Sequence, residues 1–442
     1  MTPSDDRPSP APEHDVAAEV LDICRDLIRI DTSNYGDGRG PGERKAAEHV
    51  AALLAEVGIE SELVEAAPGR TSVVARWGDQ DADRGGLLLH GHLDVVPAQA
   101  DDWSVDPFAG EVRDGYLWGR GAVDMKDFDA MLLSVVRARQ RSGRVPARPV
   151  TLAFTSDEEA GSREGAHWLV QHRPDLFEGC TEAIGEVGGF SVEVGGQRLY
   201  LIESGEKGIA WMRLTARGTA GHGSMRQPDN AITHLAGALA RIGEHVWPAS
   251  PGPSMQRLLD TIAALTGDGS GDPDALLEHV GPAVRMLGAG LRNSTNATML
   301  EAGYKHNVVP GEAVAYVDGR YLPGHEESFL PAVRDLVGDR VAVEPYIVDR
   351  ALEYPVQGDL VDAMTVALHA EDPDAHIAPY LMSGGTDAKA WDRLGITSYG
   401  FTPLRLPGDL DFTALFHGVD ERVPVDALEF GARVFDRFLD LA

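Results

Sequence analysis

The spacing of apolar residues predicts that helices and strands alternate along the first third of the chain. Apolar positions from Val16 to Ile30 recur at the spacing of one helix face, and a similar pattern from Glu43 to Val57 stops at Gly58. A third helix is predicted from Phe128 to Gln140. Short apolar runs predict strands at Thr71–Trp77, Gly86–His90 and Pro149–Thr155. This alternation is typical of an α/β fold with a largely parallel sheet.

A different pattern begins near Gly208 and ends near Tyr346. Its predicted elements are a strand at Ile209–Arg217, a helix at Asn230–Gly243, a loop with a short helix at Trp247–Pro282 and a strand at Ala313–Val317. The α/β pattern then returns, with helices predicted at Leu360–Ala370 and Val425–Leu441. We therefore expect two units, one from residues 15–207 and 346–442 and the other, inserted into it, from residues 208–345.

Composition narrows the possible partners and the compartment. The 442-residue chain carries a formal net charge of −31, which disfavours contact with nucleic acids and anionic membrane surfaces. Two cysteines, Cys24 and Cys180, argue against a disulfide framework and a thiolate metal site. Residues 1–14 are acidic and proline-rich and have no secretory pattern, so we expect a disordered tail on a cytoplasmic protein. No apolar run is long enough to cross a membrane.

The clearest chemical motif is the apolar strand that leads into His92 and Asp94. Side chains two residues apart on a strand point the same way, so His92 can bind a metal while Asp94 holds its other ring nitrogen. A structural role for this common pair is the alternative. His90 faces the same side but lies deeper in the strand, where packing is favoured.

Acidic residues follow several other predicted strands and turns. Asp124 follows a glycine-rich turn at the start of a helix, where it can be a metal ligand or a helix cap. Glu158 and Glu159 lie in a run of three acids at a strand end, and such a run repels itself unless a cation is present. An exposed acidic turn is the alternative. Glu186 and His417 complete a set that suffices for two zinc ions sharing one carboxylate, and Mn²⁺ or Co²⁺ are possible substitutes.

These motifs resemble the dizinc carboxypeptidase, aminoacylase and deacylase family, which includes glutamate carboxypeptidase, succinyl-diaminopimelate desuccinylase and acetylornithine deacetylase. The resemblance runs from about Asp15 to Leu441, in the same motif order. It implies that His92 and Glu186 hold one zinc, that Glu159 and His417 hold the other, that Asp124 bridges them, and that Glu158 is the general base. It also implies a cis peptide bond between Asp124 and Met125.

The resemblance also implies a lid domain inserted into the catalytic domain. In the lid, His222 of the segment Gly218–Ser224 would polarise the scissile carbonyl. Relatives commonly deliver this residue from a partner subunit, so we expect a homodimer formed through the lid. The substrate carboxylate would meet the side chains or backbone of four residues, Asn307, Arg320, Gly385 and Thr386.

The length of the lid is closest to the Gly-X carboxypeptidase and fatty-acyl amino acid hydrolase branch. One departure from the family is Val187, which follows Glu186 where many relatives have proline, and this puts the loop shape in question.

The predicted function is hydrolysis of an amide bond in a dipeptide or N-acyl amino acid with a free carboxylate, by a zinc-bound hydroxide with Glu158 as the base. The alternative is a metal-containing protein that binds amino-acid conjugates without catalysis. Glu158 argues against that alternative, because a binding protein needs ligands but no base. The sequence leaves the acyl group and the amino acid open.

Overall fold

A computed structural model describes residues 15–80, 84–146 and 148–442. The disordered tail predicted for residues 1–14 lies outside the described residues. The helices are α1 Val20–Arg29, α2 Arg44–Ala55, α3 Lys126–Arg141, α4 Ala166–His172, α5 Ala231–Glu244, α6 Pro253–Thr266, α7 Pro273–Leu277, α8 Val284–Ala289, α9 Glu326–Val337, α10 Asp359–Glu371, α11 Ala388–Trp391 and α12 Val425–Leu441. None of these helices is long and apolar enough to span a membrane.

The strands are β1 Ser61–Ala67, β2 Arg70–Gly78, β3 Gly86–His92, β4 Glu111–Arg113, β5 Tyr116–Trp118, β6 Pro149–Thr155, β7 Cys180–Gly185, β8 Ser191–Val194, β9 Gln197–Glu206, β10 Gly208–Arg217, β11 Gly221–His222, β12 Ser294–Ala302, β13 Val308–Val309, β14 Glu312–Tyr321, β15 Val341–Asp349, β16 Leu352–Glu353, β17 His376–Met382, β18 Thr397–Gly400 and β19 Arg422–Pro424. Most of them belong to two sheets, one of ten strands and one of four.

The ten-stranded sheet has a parallel centre. Its order is β1-β2-β6-β3-β7-β18-β9-β16, with β8 and β17 also paired to β9, and the pairs β6–β3, β3–β7 and β7–β18 are parallel. Leu87 and Leu89 of β3 point into the larger hydrophobic core, whereas Leu88 points to a smaller core on the opposite face. Both faces are therefore covered, and the α/β fold with a mainly parallel sheet is confirmed. We call this sheet and its packed helices the large unit.

The four-stranded sheet is antiparallel and has a core of its own. Its order is β12-β14-β10-β15, and alternate residues of β10, among them Met212 and Leu214, pack with residues of α5 and α9 such as Leu235 and Phe329. We call these four strands with α5 and α9 the small unit. The sequence of β10 shows an alternating pattern because successive side chains point in turn to this core and to the opposite face of the sheet.

The structure differs from the sequence prediction between residues 253 and 291. A loop with a short helix is predicted for Trp247–Pro282, but α6 and α7 lie in that range and α8 follows it, and Met255, Leu258 and Ile262 pack into the larger core. Pro253 occupies the first turn of α6, where its missing N–H costs nothing, and Gly267 ends that helix with a φ of 73°. These residues therefore pack with the large unit, although the predicted range 208–345 placed them in the insertion. The ends of that range remain a prediction.

Candidate active site

Most of the predicted metal ligands lie at one edge of the ten-stranded sheet. His92 is the last residue of β3, Glu158 and Glu159 follow β6, and Glu186 follows β7. These three strands are parallel neighbours, so their carboxyl ends meet at the same edge, where ligands of α/β proteins commonly bind. Asp124 joins them from the loop before α3, where its carboxylate lies within 3.2 Å of the His92 ring.

The side chains of these residues form two groups that share Asp124. In the first group, Nε2 of His92 lies 3.2 Å from Oδ1 of Asp124 and 3.4 Å from Oε2 of Glu186. In the second, Nε2 of His417 lies 3.1 Å from Oδ2 of Asp124 and 3.0 Å from Oε2 of Glu159. Each oxygen of Asp124 therefore faces a different imidazole, as a carboxylate that bridges two cations would.

The charge of this cluster fits divalent cations. In the part of the chain that the structure describes, the carboxylates of the two groups and of the neighbouring Glu158 form ion pairs only with the two imidazoles. Burial raises the pKa of Glu186 to about 7, and hydrogen bonds to Asp124 and Glu159 raise the pKa of His417 to about 10. Both shifts show that the cluster favours added positive charge. Imidazole nitrogens and carboxylate oxygens are donors that zinc accepts.

Glu158 belongs to neither group. Its Oε2 lies 3.9 Å from Nε2 of His92, further than the oxygens of Asp124 and Glu186. Burial and the neighbouring Glu186 carboxylate raise the pKa of Glu158 well above its usual range. Glu158 is thus a carboxyl group that lies beside the candidate ligands without joining either group.

The hydrogen bond that orients His92 differs from the prediction. Nδ1 of His92 lies 3.0 Å from the backbone carbonyl oxygen of Asp94 and 3.6 Å from its carboxylate. The Nδ1–H therefore donates to the carbonyl, which leaves the Nε2 lone pair free for a metal. The prediction assumed that the side chains of His92 and Asp94 point the same way because both lie on one strand. The assumption does not apply to Asp94, because β3 ends at His92.

The Asp94 carboxylate instead holds the turn that carries the two glutamates. Its Oδ1 accepts from the backbone N–H of Glu158 at 3.0 Å, and its Oδ2 accepts from that of Glu159 at 3.1 Å. Oδ2 also accepts from Nδ2 of Asn34 at 2.8 Å. Asp94 is fully buried, so these hydrogen bonds fix the turn in a water-poor environment.

Asn34 supports this turn, and its role was not predicted from the sequence. Its Nδ2 donates to Asp94 and, at 3.0 Å, to Oδ1 of Asp157, while its Oδ1 accepts from Nη2 of Arg70 at 2.7 Å. Its partners lie 60, 123 and 36 residues away along the chain. No local pattern in the sequence marks a contact of this range.

Glu421 is a second residue that the sequence analysis missed. Its Oε1 accepts from the backbone N–H groups of Val123 at 2.7 Å and Asp124 at 3.2 Å, and its Oε2 accepts from Gly121 at 3.1 Å. It therefore ties the loop of Asp124 to the segment that carries His417. Its place four residues after His417 was the available signal.

Three residues at or beside the candidate ligands have left-handed backbone conformations. They are Asp157 with a φ of 64°, Val187 with a φ of 56°, and His417 with a φ of 59°. Such a φ is unusual for a β-branched residue such as Val187 and is closed to proline. The loop after Glu186 therefore has a shape that proline could not adopt. The peptide bond between Asp124 and Met125 is cis, as the resemblance implied.

A cavity of about 960 Å³ connects the cluster to other predicted site residues. Glu158, Glu159 and His417 line it, together with Arg320, Gly385 and Thr386. The small unit adds apolar side chains to the same wall, namely Ile209, Trp211, Ile347 and Val348. Arg320 is already oriented, because its Nε and Nη2 donate to the two carboxylate oxygens of Asp318 at 2.7 and 3.1 Å.

Two predicted residues lie elsewhere. Neither His222 nor Asn307 is among the residues that line this cavity. His222 pairs with Val308 in the short ribbon of β11 and β13, and the carbonyl of Asn307 accepts from the backbone N–H of Gly223 at 2.9 Å. The side chain of His222 is exposed, and its Nδ1 lies 2.8 Å from the Ser224 hydroxyl. The structure therefore groups these two residues with each other on the surface.

Comparison with known proteins places the fold and the cluster in a family. The family described as Peptidase family M20/M25/M40 matches residues 88–441. The chain is 26% identical over 442 residues to N-fatty-acyl-amino acid synthase/hydrolase PM20D1 of Xenopus tropicalis, with 93% of this chain and 83% of that protein covered. It is 28% identical over 395 residues to aminoacylase-1 of Sus scrofa, with 87% and 86% covered.

A solved structure has the same fold. It is the M20 family metallo-carboxypeptidase Sso-CP2 from Sulfolobus solfataricus, with a TM-score of 0.71 and 17% sequence identity over 96% of this chain and 99% of that chain. The family match spans most of the chain and includes every candidate ligand. The chain belongs to peptidase family M20/M25/M40 and is an enzyme of the metallopeptidase and amidohydrolase class.

Proposed function

We propose that this protein hydrolyses the amide bond of a dipeptide or an N-acyl amino acid that has a free carboxylate. The observation that carries the proposal is the single cavity that joins the metal-ligand cluster to Arg320 and the turn of Gly385 and Thr386. A cluster able to activate water and a cation able to bind a carboxylate thus face the same space. The names of the similar aminoacylase-1 and of PM20D1 agree with this class of substrate.

The residues that would hold two zinc ions are His92 and Glu186 for one, Glu159 and His417 for the other, and Asp124 for both. Zinc bound there would polarise the substrate carbonyl and lower the pKa of a bound water. The donor set also accepts Mn²⁺ or Co²⁺.

Glu158 would transfer the protons of the reaction. Its carboxylate would accept a proton from the attacking water and deliver it to the leaving nitrogen, the role of a general acid and base. Two features support this role, the position of Glu158 outside both ligand groups and its exposure to the cavity. Asp94 would act through Glu158, because it holds the backbone of that residue in place.

Arg320 would bind the substrate carboxylate. Its bidentate pair with Asp318 uses only part of the guanidinium, which has five N–H donors, so donors remain for a carboxylate in the cavity. Gly385 and Thr386 line the same cavity. Gly385 would add its backbone N–H as a neutral donor, and Thr386 would fix the turn, since its own N–H and hydroxyl both donate to Glu206.

His222 and Asn307 would act from a second copy of the chain. They lie together on the exposed ribbon of the small unit, away from the cavity lining of their own chain. Strand β12 is one of the two outer strands of the four-stranded sheet, and Met299 and Leu300 on it are 53% and 62% exposed. The outer edge of such a strand, with exposed apolar side chains, favours pairing with another strand, so we propose a homodimer through this edge.

A substrate panel combined with one variant tests the proposal. Dipeptides and N-acyl amino acids should be hydrolysed by the zinc-loaded protein, and Glu158→Gln should lower kcat by roughly 10² to 10⁴-fold while both metals stay bound. Glu178→Gln, at an exposed position, is the matched control. Loss of zinc from Glu158→Gln, with activity restored by excess zinc, would make Glu158 a ligand instead. Tight binding of these compounds without turnover would favour the alternative, a non-catalytic binding protein.

A further inference from the structure

Two of the points at which the polypeptide passes between the large and the small unit lie close to the cavity. Lys207 links β9 of the ten-stranded sheet to β10 of the four-stranded sheet. Arg350 lies on the return path, between β15 of the small unit and β16, which pairs with β9. Any change in the orientation of the two units must therefore alter the backbone at or near these two residues.

One buried ammonium group contacts both passages. Nζ of Lys389 donates to the carbonyl oxygen of Lys207 at 2.9 Å and to that of Arg350 at 3.1 Å. Its third partner is Oε2 of Glu206, at 3.0 Å. Lys389 is 3% exposed and Glu206 is 1% exposed, so all three donors of the ammonium are used in a site shielded from water.

The same carboxylate holds the turn that lines the cavity. Oε2 of Glu206 accepts from the backbone N–H of Thr386 at 3.2 Å, and its Oε1 accepts from the Thr386 hydroxyl. The stem of Lys389 lies directly under the preceding residue, since a Cβ added to Gly385 would be 2.9 Å from Cε of Lys389. The turn therefore contacts both members of the ion pair, Glu206 through Thr386 and Lys389 through Gly385.

A second lysine extends this contact to another passage. Nζ of Lys207 donates to the carbonyl oxygens of Ala289 at 3.1 Å and Arg292 at 2.7 Å, and lies 3.2 Å from the Ser294 hydroxyl. Residues 289–294 lead from α8, which packs with the large unit, into β12 of the small unit. The passage at Lys207 is therefore connected to two others. It is linked to the passage at Arg350 through the ammonium of Lys389, and to residues 289–294 through its own side chain.

We propose that Lys389 and Glu206 are positioning residues that couple the orientation of the small unit to the geometry of the substrate turn at Gly385 and Thr386. The inference rests on the proposed function, because it assigns that turn to substrate binding. A rotation of the small unit displaces the carbonyls of Lys207 and Arg350. The ammonium follows them, and Glu206 and Thr386 move with it, because separating a buried ion pair would leave uncompensated charge in the interior and is strongly destabilising.

The coupling predicts an effect on catalysis that a purely structural ion pair lacks. Lys389→Met keeps the stem under Gly385 and removes the ammonium. We expect kcat/KM of the metal-loaded protein to fall by roughly 10- to 100-fold, since small misplacements of a substrate cost this much. Most of the change should appear in KM, because the metal ligands and Glu158 are untouched.

Two further variants keep the test decisive. Lys389→Met combined with Glu206→Gln leaves no unpaired charge in the interior, so it reports on the coupling if the single variant does not fold. Arg139→Met is the control, because Arg139 is 2% exposed and pairs with Asp436 and Asp440 within the large unit, away from both passages. The control should lose stability yet keep kcat/KM within about twofold, as expected for a structural pair.

A distance measurement separates this inference from the proposed function. Spin labels on cysteines introduced at Ala52 in α2 and Asp335 in α9, both exposed, would report the distance between the two units in a Cys180→Ser background. Pulsed electron paramagnetic resonance should give one narrow distribution for the parent and a clearly broader one for both Lys389 variants. This result supports the coupling even if no dipeptide or N-acyl amino acid is turned over. Unchanged distributions, or an unchanged kcat/KM in an active protein, would overturn it.

Discussion

Replacement of Asp94 by asparagine tests whether its carboxylate organises the turn of Glu158 and Glu159. The carboxylate accepts three hydrogen bonds, from the two backbone N–H groups of the turn and from Asn34. Asparagine keeps one acceptor oxygen and replaces the other with an NH₂ donor. An NH₂ in place of Oδ2 would face two donors, whereas in place of Oδ1 it would face only the N–H of Glu158. The second orientation therefore costs less.

The orientation that loses only the hydrogen bond from Glu158 sets the expected decrease in kcat/KM. One hydrogen bond to a charged acceptor contributes roughly 1.5 to 3 kcal/mol, and a buried N–H is left without a partner. Each 1.36 kcal/mol corresponds to a factor of ten in rate, so kcat/KM should fall by roughly 10- to 150-fold if the turn bears the whole loss. The carbonyl of Asp94 still accepts from His92, so the orientation of that imidazole should persist.

The assay compares kcat/KM and metal content of the zinc-loaded parent and Asp94→Asn. Asp426→Asn, at an exposed position in α12, is the control and should match the parent. A kcat/KM within twofold of the parent would refute the reasoning, because it would mean that the carboxylate does not hold the turn.

Three further predictions concern the substrate clamp, the metals and a buried lysine. Arg320→Ala should lower kcat/KM for free acids by roughly 10-fold or more and hardly alter the slow turnover of the corresponding amides, since only the acids lose a charged partner; equal losses on both would contradict the clamp. Chelation of the metals should abolish turnover and lower the melting temperature by roughly 5 °C or more, measured by calorimetry, because ligands that bind only the folded state stabilise it. Burial lowers the pKa of Lys207 to about 7, below its value in an unfolded chain, so the unfolded state binds more protons from about pH 7 to 10. The free energy of unfolding from urea titrations should rise with pH over that range, and Lys207→Met should flatten the rise.

The sequence predicted those site residues that follow recognisable strands. His92, Glu158 and Glu186 could be placed together because β3, β6 and β7 are apolar runs, and polar residues at the ends of parallel strands meet at one edge. The role of Asp94 could not be predicted, because it depends on where β3 stops. Asn34 was missed since its partners are remote in sequence, so no local pattern indicates them.

The fold was predicted best where periodicity was undisturbed. Strand β9 went unnoticed because its buried run contains Glu203 and Glu206, and β12 went unnoticed because it is exposed along most of its length. Helix α6 was not predicted because glycines and prolines surround it, although the spacing of Met255, Leu258 and Ile262 is helical. In each case tertiary contacts, rather than local preference, decide the structure.

The two histidines of the cluster differ sharply in exposure, and this bears on how the enzyme acquires its metals. The side chain of His92 is 1% exposed, whereas that of His417 is 55% exposed. An ion held through His417 could exchange with the surroundings without disturbing the sheet edge. An ion held through the buried His92 would be shielded from the surroundings. The two positions would therefore fill and empty in sequence. Occupancy of the outer position would follow the supply of free metal, so a low supply would leave a population of half-loaded enzyme.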